Sequence, residues 1–365
     1  MKIKILLIAD FLSTGGTRVF FFRLLRIHLR NNIKTAILIQ KNQLDTEVKS
    51  FCQKNDITIF QTPDRTQRYY HPLSSLIYEV IHYRKYVKRF QPDITVVSDG
   101  GRELNLGIFL VAKKIVFWLH GYPESSIIWN ILRKPFRYFL TSRQKHYVAV
   151  SKYAAHNNSR YLGIPAKHIR VVHNSFQQEM HTLPSIREPI VLTVSHVRDY
   201  KNPVKWLEVA KMVTEREKTI KFVWLGDGEK LDEMKSAVQK NNLEDNIFFL
   251  GHRNDVDFFY ANAMIYFQPS LIENHSISVV EAMSYGLPCI VSNAGGMPES
   301  VIHGTTGYIA DPGDVGVFAD RILTLFKNQK LREKMGLAGK KRAQDNFSEL
   351  IQEKKIIRIY KDMIH

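Results

Sequence analysis

Residues 271–288 read LIENHSISVVEAMSYGLP and carry two carboxylates, Glu273 and Glu281, eight positions apart. Ser276 is a residue type that caps helix N-termini, and the residues that follow it recur at helical spacing. We therefore predict that Glu273 lies on a loop after a strand, and that Glu281 lies in the second turn of a helix. The backbone N–H groups of residues 274–278 then point out of the positive end of that helix, where a phosphate can bind.

A loop carboxylate and a helical carboxylate on either side of a phosphate seat suit a nucleotide sugar. The loop group can accept hydrogen bonds from sugar hydroxyls, and the helical group can accept them from a ribose. Two glutamates at this spacing occur in many proteins, so the spacing alone also fits a surface glutamate and an unrelated loop charge. The residues that surround the pair decide between these interpretations.

The stretch 281–314 reads EAMSYGLPCIVSNAGGMPESVIHGTTGYIADPGD. It resembles the C-terminal signature of the retaining GT-B glycosyltransferases of family 4, whose motif is two glutamates separated by seven residues. The resemblance extends over nearly the whole chain. It implies an α/β fold of the GT-B type, in which two Rossmann-like domains face each other across a cleft. It also implies glycosyl transfer with retention at the anomeric carbon.

The composition agrees with two domains. The chain has 365 residues, which predicts two domains of about 180 residues each. Because 44% of the residues are hydrophobic, each domain can have a buried core. Cys52 and Cys289 lie far apart and fit neither a disulfide framework nor a zinc site, so we expect a reducing, cytoplasmic compartment. The apolar run in MKIKILLIAD is too short for a signal peptide, and no run of about 18 apolar residues predicts a membrane span.

The charge is placed asymmetrically. Residues 1–180 contain 28 Lys and Arg against 11 Asp and Glu, so the whole net charge of +17 belongs to that half. This predicts an anionic partner for the first half. The stretches 65–90 and 126–147 combine basic and aromatic residues and suit helices in an anionic lipid interface, with single-stranded nucleic acid and a solvated basic face as alternatives. We expect an anionic membrane surface and no nucleic acid.

Short β-rich runs alternate with helical patterns in the first half, which predicts a largely parallel sheet. The run 2–9, a turn ending in Gly15 and Gly16, and a helix over 17–30 form the opening of a doubly wound domain. The G-x-G-x-x-G spacing is absent, so a dinucleotide site is not indicated. Further strands are predicted over 35–40, 57–61, 94–98, 115–119 and 146–150.

The resemblance carries two functional positions over to this half. It implies that Gly15 and Gly16 contact acceptor or donor, although both also fit an ordinary tight turn. It implies a functional histidine at His120, which follows the strand over 115–119, where α/β proteins form their sites. A histidine at that place can equally be structural.

The second half opens with a strand over 190–195, followed by HVRDYKNP at 196–203. Lys201 and its neighbour Asn202 resemble the family's Lys-Gly/Asn pair. Arg198 and Lys201 are two cations on a loop between a strand and a helix, which suits a diphosphate. The family's arginine falls on His196, and Arg198 stands two residues further along. The resemblance therefore leaves open which of the two has the arginine's role.

The rest of the second half also fits the family. The resemblance implies that Gly226 lets the nucleotide approach the backbone and that Arg253 lies where the base packs. Strands are predicted over 221–226, 247–251, 264–269 and 287–292, and helices from 204 and over 315–328, 331–346 and 348–363. The polar segment 177–188 is the predicted linker. We expect an acceptor-binding, membrane-facing domain over 1–180, a nucleotide-sugar domain over 181–347, and a helix over 348–365 returning to the first domain.

Residues and resemblance together predict a retaining hexosyltransferase that uses a UDP- or GDP-sugar. Glu273 would orient the donor sugar and Glu281 would hold the ribose. Lys201 and Arg198 would stabilise the leaving diphosphate, and His120 would touch the reacting sugar or the acceptor. We expect neither a metal nor a cofactor. The remaining predicted substrate-binding residues are Gly15, Gly16, Asn274, His275, Ser276, Ile277, Gly226, Arg253 and His196.

We expect the acceptor, a glycan that is lipid-linked, to bind the basic first domain. The enzyme would then be peripheral on the inner face of the cell membrane and would act in the synthesis of a cell-surface polysaccharide, lipopolysaccharide or capsule. The alternatives are a non-catalytic, membrane-associated partner of the same fold and a nucleotide-sugar epimerase. A phosphorylase would need a lysine-bound cofactor whose signature is absent, and a dehydrogenase would need the missing glycine fingerprint.

Overall fold

The computed structural model describes residues 3–9, 15–40, 44–63, 72–99, 108, 111–121, 144–162, 164–177 and 187–364. The chain divides into two compact units, one made of Met1–His173 and Glu353–His365 and the other of Asn174–Gln352. The sequence had placed these divisions at 180/181 and 347/348. The last helix therefore begins in the second unit and continues in the first.

Each unit is built on a parallel sheet. Among the described residues, the first sheet has seven strands in the order β3-β2-β1-β4-β5-β6-β7, and the second has six in the order β10-β9-β8-β11-β12-β13. The strands of the first sheet are β1 Lys4–Ala9, β2 Lys34–Gln40, β3 Thr58–Thr62, β4 Ile94–Asp99, β5 Ile115–Leu119, β6 Lys145–Ala149 and β7 Ile169–Val171. Those of the second are β8 Ile190–Val194, β9 Lys221–Leu225, β10 Ile247–Gly251, β11 Ile265–Gln268, β12 Cys289–Ser292 and β13 Gly307–Ala310.

The helices cover both faces of these sheets. In chain order they are α1 Gly16–Arg30, α2 Thr46–Lys54, α3 Pro72–Phe90, α4 Lys152–Leu162, α5 Pro203–Arg216, α6 Leu231–Lys240, α7 Val256–Asn262, α8 Ile277–Ser284, α9 Met297–Ser300, α10 Val315–Lys327, α11 Gln329–Phe347 and α12 Glu349–Ile364. Because strands of a parallel sheet are buried on both sides, they read as continuous apolar runs such as KILLIA and IVFWL. The predicted β-α alternation is confirmed.

In the first unit, α1, α2 and α12 pack on one face of the sheet, and α3 and α4 pack on the other. The buried His28 of α1 joins three elements: its ring nitrogens lie 3.0 Å from Thr35 Oγ1 of β2 and 3.0 Å from Tyr360 Oη of α12. Arg30 also forms a salt bridge with Glu353 of α12. The last helix thus completes the core of the first unit.

Several predicted segments differ from the structure. Residues 145–147 of the stretch 126–147 belong to strand β6 rather than to a helix, in agreement with the strand predicted over 146–150, and residues 126–143 lie outside the described part. Strand β12 begins at Cys289 rather than at 287, since Gly286 has φ +74° and Leu287 still donates to Ala282 of α8. Strand β7 was not predicted. The linker residues 178–186, the turn 10–14 and residues 65–71 also lie outside the described part.

Candidate active site

Both sheets reverse their strand order at one point, and in such sheets ligands bind beyond the carboxyl ends of the strands at that point. In the second unit the reversal falls between β8 and β11. The loop after β8 carries His196, Arg198 and Lys201, and the loop after β11 carries Glu273. The fold therefore places these predicted residues at the edge of the sheet where an α/β site is expected.

The two loops are tied together by the side-chain amide of Asn202 and by one backbone hydrogen bond. Asn202 adopts the left-handed conformation with φ 59°, and its amide donates to the carbonyls of Pro269 at 3.1 Å and Pro312 at 2.9 Å. Leu271 N donates to the Tyr200 carbonyl at 2.8 Å. An asparagine tolerates this backbone conformation better than most residues, which explains why one occupies position 202. Lys201 is consequently held at a fixed place beside the second loop.

Lys201 and Glu273 form an ion pair in which Nζ donates to Oε1, and both side chains are almost wholly buried. The same oxygen accepts from Gln268 Nε2 at 2.6 Å and lies 3.5 Å from Ser270 Oγ. Within the described residues, Oε2 of Glu273 has no hydrogen-bond donor. The carboxylate is therefore anchored through one oxygen and retains the acceptor capacity of the other.

The backbone of Glu273 is fixed by two glycines. Gly295 has φ +60°, and a Cβ built on it would lie 2.0 Å from the Glu273 carbonyl oxygen. Gly296 N donates to that same oxygen at 2.8 Å. Only a residue without a side chain allows this approach. Sequence reasoning does not place these glycines beside Glu273, because nothing in the local pattern indicates which loop they contact.

Helix α8 begins where predicted. Ser276 is its N-cap, with Oγ accepting from Val279 N at 3.4 Å. The N–H groups that precede Val279 have no acceptor inside the helix, so Asn274 and Ile277 stand at its positive end. The His275 ring packs against Phe347 with centroids 5.3 Å apart, and its Nε2 lies 3.2 Å from Ser300 Oγ. The His275 side chain is thus part of the core of the unit.

Glu281 lies in the second turn of α8, as predicted, and is partly buried. Tyr260 Oη lies 3.4 Å from Glu281 Oε2 and 3.3 Å from the Ser278 carbonyl, and the two oxygens share its one proton. Burial, and then the neighbouring Glu281 charge, raise the pKa of Tyr260 well above its ordinary value, so this hydroxyl remains a donor. Glu281 is therefore oriented by a buried phenol that keeps its proton.

His196 and Arg198 both stay close to Lys201. His196 Nδ1 lies 3.3 Å from the Asp227 carbonyl, and desolvation together with the charges of Arg198 and Lys201 lowers the pKa of the ring. Arg198 is exposed, and its guanidinium has no hydrogen bond or ion pair among the described residues. The neutral ring cannot supply the charge of the family's arginine, whereas the Arg198 guanidinium can.

The loop after β9 contacts the loop after β8. A Cβ on Gly226 would lie 2.1 Å from the Ser195 carbonyl oxygen, and one on Gly228 would lie 2.3 Å from that of Val197. These two glycines therefore allow the loops to pack together, a reason that the sequence did not reveal. Arg253 forms an exposed bidentate pair with Asp255 at 2.8 and 2.7 Å, and the preceding His252 N donates to Asp227 Oδ1 at 2.9 Å.

The first unit holds the remaining predicted residues. His120 follows β5, with Nε2 3.1 Å from Ser98 Oγ and its ring 4.6 Å from that of Phe20. Desolvation lowers the pKa of His120 to about 4, so the ring is neutral at pH 7. Gly15 precedes α1 with φ +84°, and its carbonyl accepts from Arg18 N at 3.1 Å. The backbone conformation at position 15 thus requires a glycine.

The described residues contain neither a candidate metal cluster nor a candidate membrane span. In this part of the chain, no group of three or more His, Cys, Asp and Glu side chains is placed to hold a metal ion. No helix of the same part is long and apolar enough to cross a membrane.

Comparison with known proteins assigns the family. The model for Glycosyltransferase Family 4 matches residues 14–177, and the model for Glycosyl transferases group 1 matches residues 177–342. The chain belongs to the family 4 glycosyltransferases. The predicted family and the predicted GT-B fold with two Rossmann-like units are confirmed, and so is the coarse prediction of a glycosyltransferase.

Three similar proteins illustrate the range of this family. The N-acetyl-alpha-D-glucosaminyl L-malate synthase of Bacillus anthracis is 29% identical over 269 residues, which cover 69% of this chain and 68% of that one. The UDP-Gal:alpha-D-GlcNAc-diphosphoundecaprenol alpha-1,3-galactosyltransferase of Escherichia coli is 30% identical over 182 residues, 49% of this chain and 47% of that one. The crystal structure of Anabaena Alr3699/HepE with UDP and glucose has a TM-score of 0.78 at 18% identity and covers 98% of this chain and 99% of that one.

Proposed function

We propose that this glycosyltransferase moves a hexose-type sugar from a nucleotide sugar, preferably a UDP-sugar, to an acceptor hydroxyl with retention at the anomeric carbon. The observation that carries the proposal is the arrangement of Lys201, Glu273 and Glu281 around the N-terminus of α8. The names of two similar proteins support a UDP-linked donor, since one contains UDP-Gal and the other was crystallised with UDP and glucose.

In this proposal each group has one task. The bond between the anomeric carbon and the diphosphate oxygen breaks, the acceptor oxygen bonds to the same face of the sugar, and the proton of the acceptor hydroxyl passes to the departing diphosphate oxygen. Lys201, Arg198 and the N-terminus of α8 stabilise the charge that grows on the diphosphate. Glu273 binds sugar hydroxyls through Oε2, and Glu281 binds the ribose. His120, neutral at pH 7, contacts the reacting sugar or the acceptor.

The donor and the stereochemistry can be tested together. In the presence of a lipid-linked glycan acceptor, the protein is incubated with UDP-glucose, UDP-galactose, UDP-N-acetylglucosamine or GDP-mannose, with and without EDTA, and release of the nucleotide is measured. We expect one UDP-sugar to be consumed at the same rate in EDTA, and NMR of the product to show the donor's α-configuration. An inverted product would reject retention, and absence of turnover with every donor would favour the non-catalytic partner.

We further propose that the acceptor is lipid-linked and that the first unit contacts an anionic membrane. The supporting observation in the first unit is helix α3, on which Ile77 and Ile81 are 52% and 61% exposed. Arg84, Lys85 and Lys88 are exposed on the following turns. Exposed apolar residues next to cations on one helix suit the boundary between headgroups and acyl chains. The acceptor of the E. coli relative, a diphosphoundecaprenol, is consistent with this surface.

Flotation with vesicles tests the membrane contact. The protein should float with vesicles that contain phosphatidylglycerol and should float less at 0.5 M salt, because surface electrostatics are screened. Ile77→Ser/Ile81→Ser should reduce flotation more than Val204→Ser, which removes an exposed apolar side chain of the second unit. Equal flotation of both variants, or binding that is insensitive to salt, would contradict the proposal. A water-soluble acceptor, such as the L-malate in the name of the B. anthracis relative, would then be favoured.

A further inference from the structure

Gln268 is the last residue of β11 and is only 1% exposed. Its side-chain amide lies at the centre of a buried polar cluster next to Glu273. Nε2 donates to Glu273 Oε1 at 2.6 Å and to Ser270 Oγ at 3.0 Å, and Oε1 accepts from Tyr266 Oη at 2.9 Å, Ser276 Oγ at 3.1 Å and Ser278 Oγ at 3.3 Å. Both the nitrogen and the oxygen of the amide are therefore hydrogen-bonded.

The chemistry of the partners fixes the orientation of this amide. A carboxylate can only accept a hydrogen bond, so the amide nitrogen must face Glu273. The three hydroxyls on the other side can donate, so they face the carbonyl oxygen. The reversed amide would set two acceptor oxygens 2.6 Å apart in a buried cluster. The carboxylate on one side and the three hydroxyls on the other thus both orient the amide nitrogen of Gln268 toward Glu273.

This arrangement has a consequence for Glu273. Lys201 and Gln268 both donate to Oε1, which prevents the carboxylate from rotating, and Oε2 has no donor within the described part of the chain. Gln268 also accepts from Ser276, the N-cap of α8. One side chain therefore links the carboxylate to the helix end at which the diphosphate is proposed to bind.

We propose that Gln268 is a positioning residue of this glycosyltransferase, which holds Glu273 so that Oε2 faces the donor sugar and fixes the carboxylate relative to the phosphate seat. The inference rests on the proposed role of Glu273. A rigid amide between the two parts of the site costs no reorganisation when the donor binds, which is the condition for efficient transition-state stabilisation.

The isosteric change Gln268→Glu gives the sharpest test. It would place a second carboxyl group at hydrogen-bond distance from Glu273, and two carboxylates so close cannot both ionise without penalty. The pair would retain a proton to a pH above the ordinary carboxyl range. Since the folded state then binds more protons than the unfolded state, the variant should lose stability relative to wild type as pH rises through the raised pKa. The protonated pair should restore the missing hydrogen bond.

The experiment compares wild type, Gln268→Glu, Gln268→Met and the control Thr193→Val between pH 5 and 8.5. Thr193 is another buried polar residue of the same sheet, bonded to Trp206 Nε1 at 2.7 Å and without contact to Glu273. Thermal melting reports the contact, and donor turnover reports its consequence. We expect the Tm deficit of Gln268→Glu to grow with pH while the deficit of Thr193→Val stays constant.

In turnover, Gln268→Met should lower kcat by about 10- to 100-fold, as expected when a reacting group is misplaced by about 1 Å. Its KM for the donor should change by less than about threefold, because the nucleotide supplies most of the donor's binding contacts. Gln268→Glu should recover activity relative to wild type at low pH.

Three results would overturn the inference. A Tm deficit of Gln268→Glu that is independent of pH would refute the contact with Glu273. A deficit that depends on pH, with turnover that follows wild type at every pH, would refute the positioning role alone. A wild type that neither turns over nor binds any nucleotide sugar would reject the proposed function and this inference with it.

Discussion

Glu273 is held through both its backbone and its side chain. Its carbonyl is held by Gly296, one carboxylate oxygen is held by Lys201 and Gln268, and the second oxygen has no donor in the described residues. Such a group is prepared to bind a ligand before the ligand arrives. The pair of glutamates in the sequence indicated this residue, but it did not indicate how the side chain is held.

Replacing Glu273 by glutamine should therefore affect the chemical step more than nucleotide binding. We expect Glu273→Gln to lower kcat about 10²- to 10³-fold, as removal of a preorganised group usually does. The affinity for UDP should change by less than about threefold, because UDP lacks the sugar that Glu273 binds. Steady-state kinetics and calorimetry measure the two quantities. Glu208→Gln, an exposed helical glutamate, is the control, and a loss of UDP affinity equal to the loss of kcat would contradict the assignment.

Arg198 should supply the charge that His196 lacks. A charged hydrogen bond to a phosphate contributes about 1.5–3 kcal/mol, so Arg198→Ala should weaken UDP binding by roughly 10- to 100-fold. His196→Ala should have a smaller effect, since the pKa of that ring is lowered and it carries no charge at pH 7. Calorimetry with UDP compares both variants with Arg216→Ala, which removes a surface pair with Asp320. Stronger weakening by His196→Ala would reverse the assignment.

At the scale of elements, the loop that carries Glu273 depends on its approach to Gly295. An added methyl group would meet the Glu273 carbonyl, and the backbone has a positive φ, so Gly295→Ala should displace the loop. Gly304 also has a positive φ, +74°, but open space around it, so Gly304→Ala should cost only the backbone term of about 1–2 kcal/mol. We expect Gly295→Ala to lose more turnover than Gly304→Ala at equal stability. Equal turnover in the two folded variants would argue against the role of this contact.

The core formed by α1, β2 and α12 should make the first unit sensitive to acid. Burial lowers the pKa of His28 from 6.5 to about 3, so between these values the unfolded chain binds a proton that the folded chain excludes. The contribution of His28 to the free energy of unfolding should therefore be fully present above pH 6.5. Below pH 6.5 the free energy of unfolding should fall as the pH falls, by up to about 1.4 kcal/mol per pH unit for this one group. Urea unfolding between pH 4.5 and 7.5 measures how the free energy of unfolding changes with pH. This pH dependence should be smaller in His28→Gln than in His156→Gln, an exposed control. Identical slopes would contradict the burial.

Much of this arrangement of elements could be predicted from the sequence. Buried parallel strands appear as continuous apolar runs, and Ser276 marks the start of α8, so type and order were accessible. The contacts between loops were not accessible. Gly295 meets Glu273, Gly226 meets Ser195, and Asn202 meets Pro312, and each pair joins segments that lie 22 to 110 residues apart. Local patterns do not encode which distant segment a glycine or an asparagine will contact.

At the scale of the whole molecule, the charge and the site lie in different halves. Residues 1–180 hold the entire excess of positive charge, and the second unit holds the Lys201–Glu273 pair and helix α8. This division is what a donor site in one unit and an anionic acceptor or membrane at the other would require. The proposed function therefore depends on whether the second unit binds a nucleotide sugar.

Titration calorimetry with UDP tests that claim most directly, on wild type, Glu281→Ala and the exposed-glutamate control Glu208→Ala, in buffer containing EDTA. Glu281 is proposed to hold the ribose, and loss of its charge-assisted hydrogen bonds should weaken binding by about 10- to 100-fold. We predict saturable binding of one UDP per chain to wild type and to Glu208→Ala, and much weaker binding to Glu281→Ala. Absence of binding of UDP and GDP to wild type, or equal affinities in all three proteins, would contradict the proposed nucleotide-sugar site.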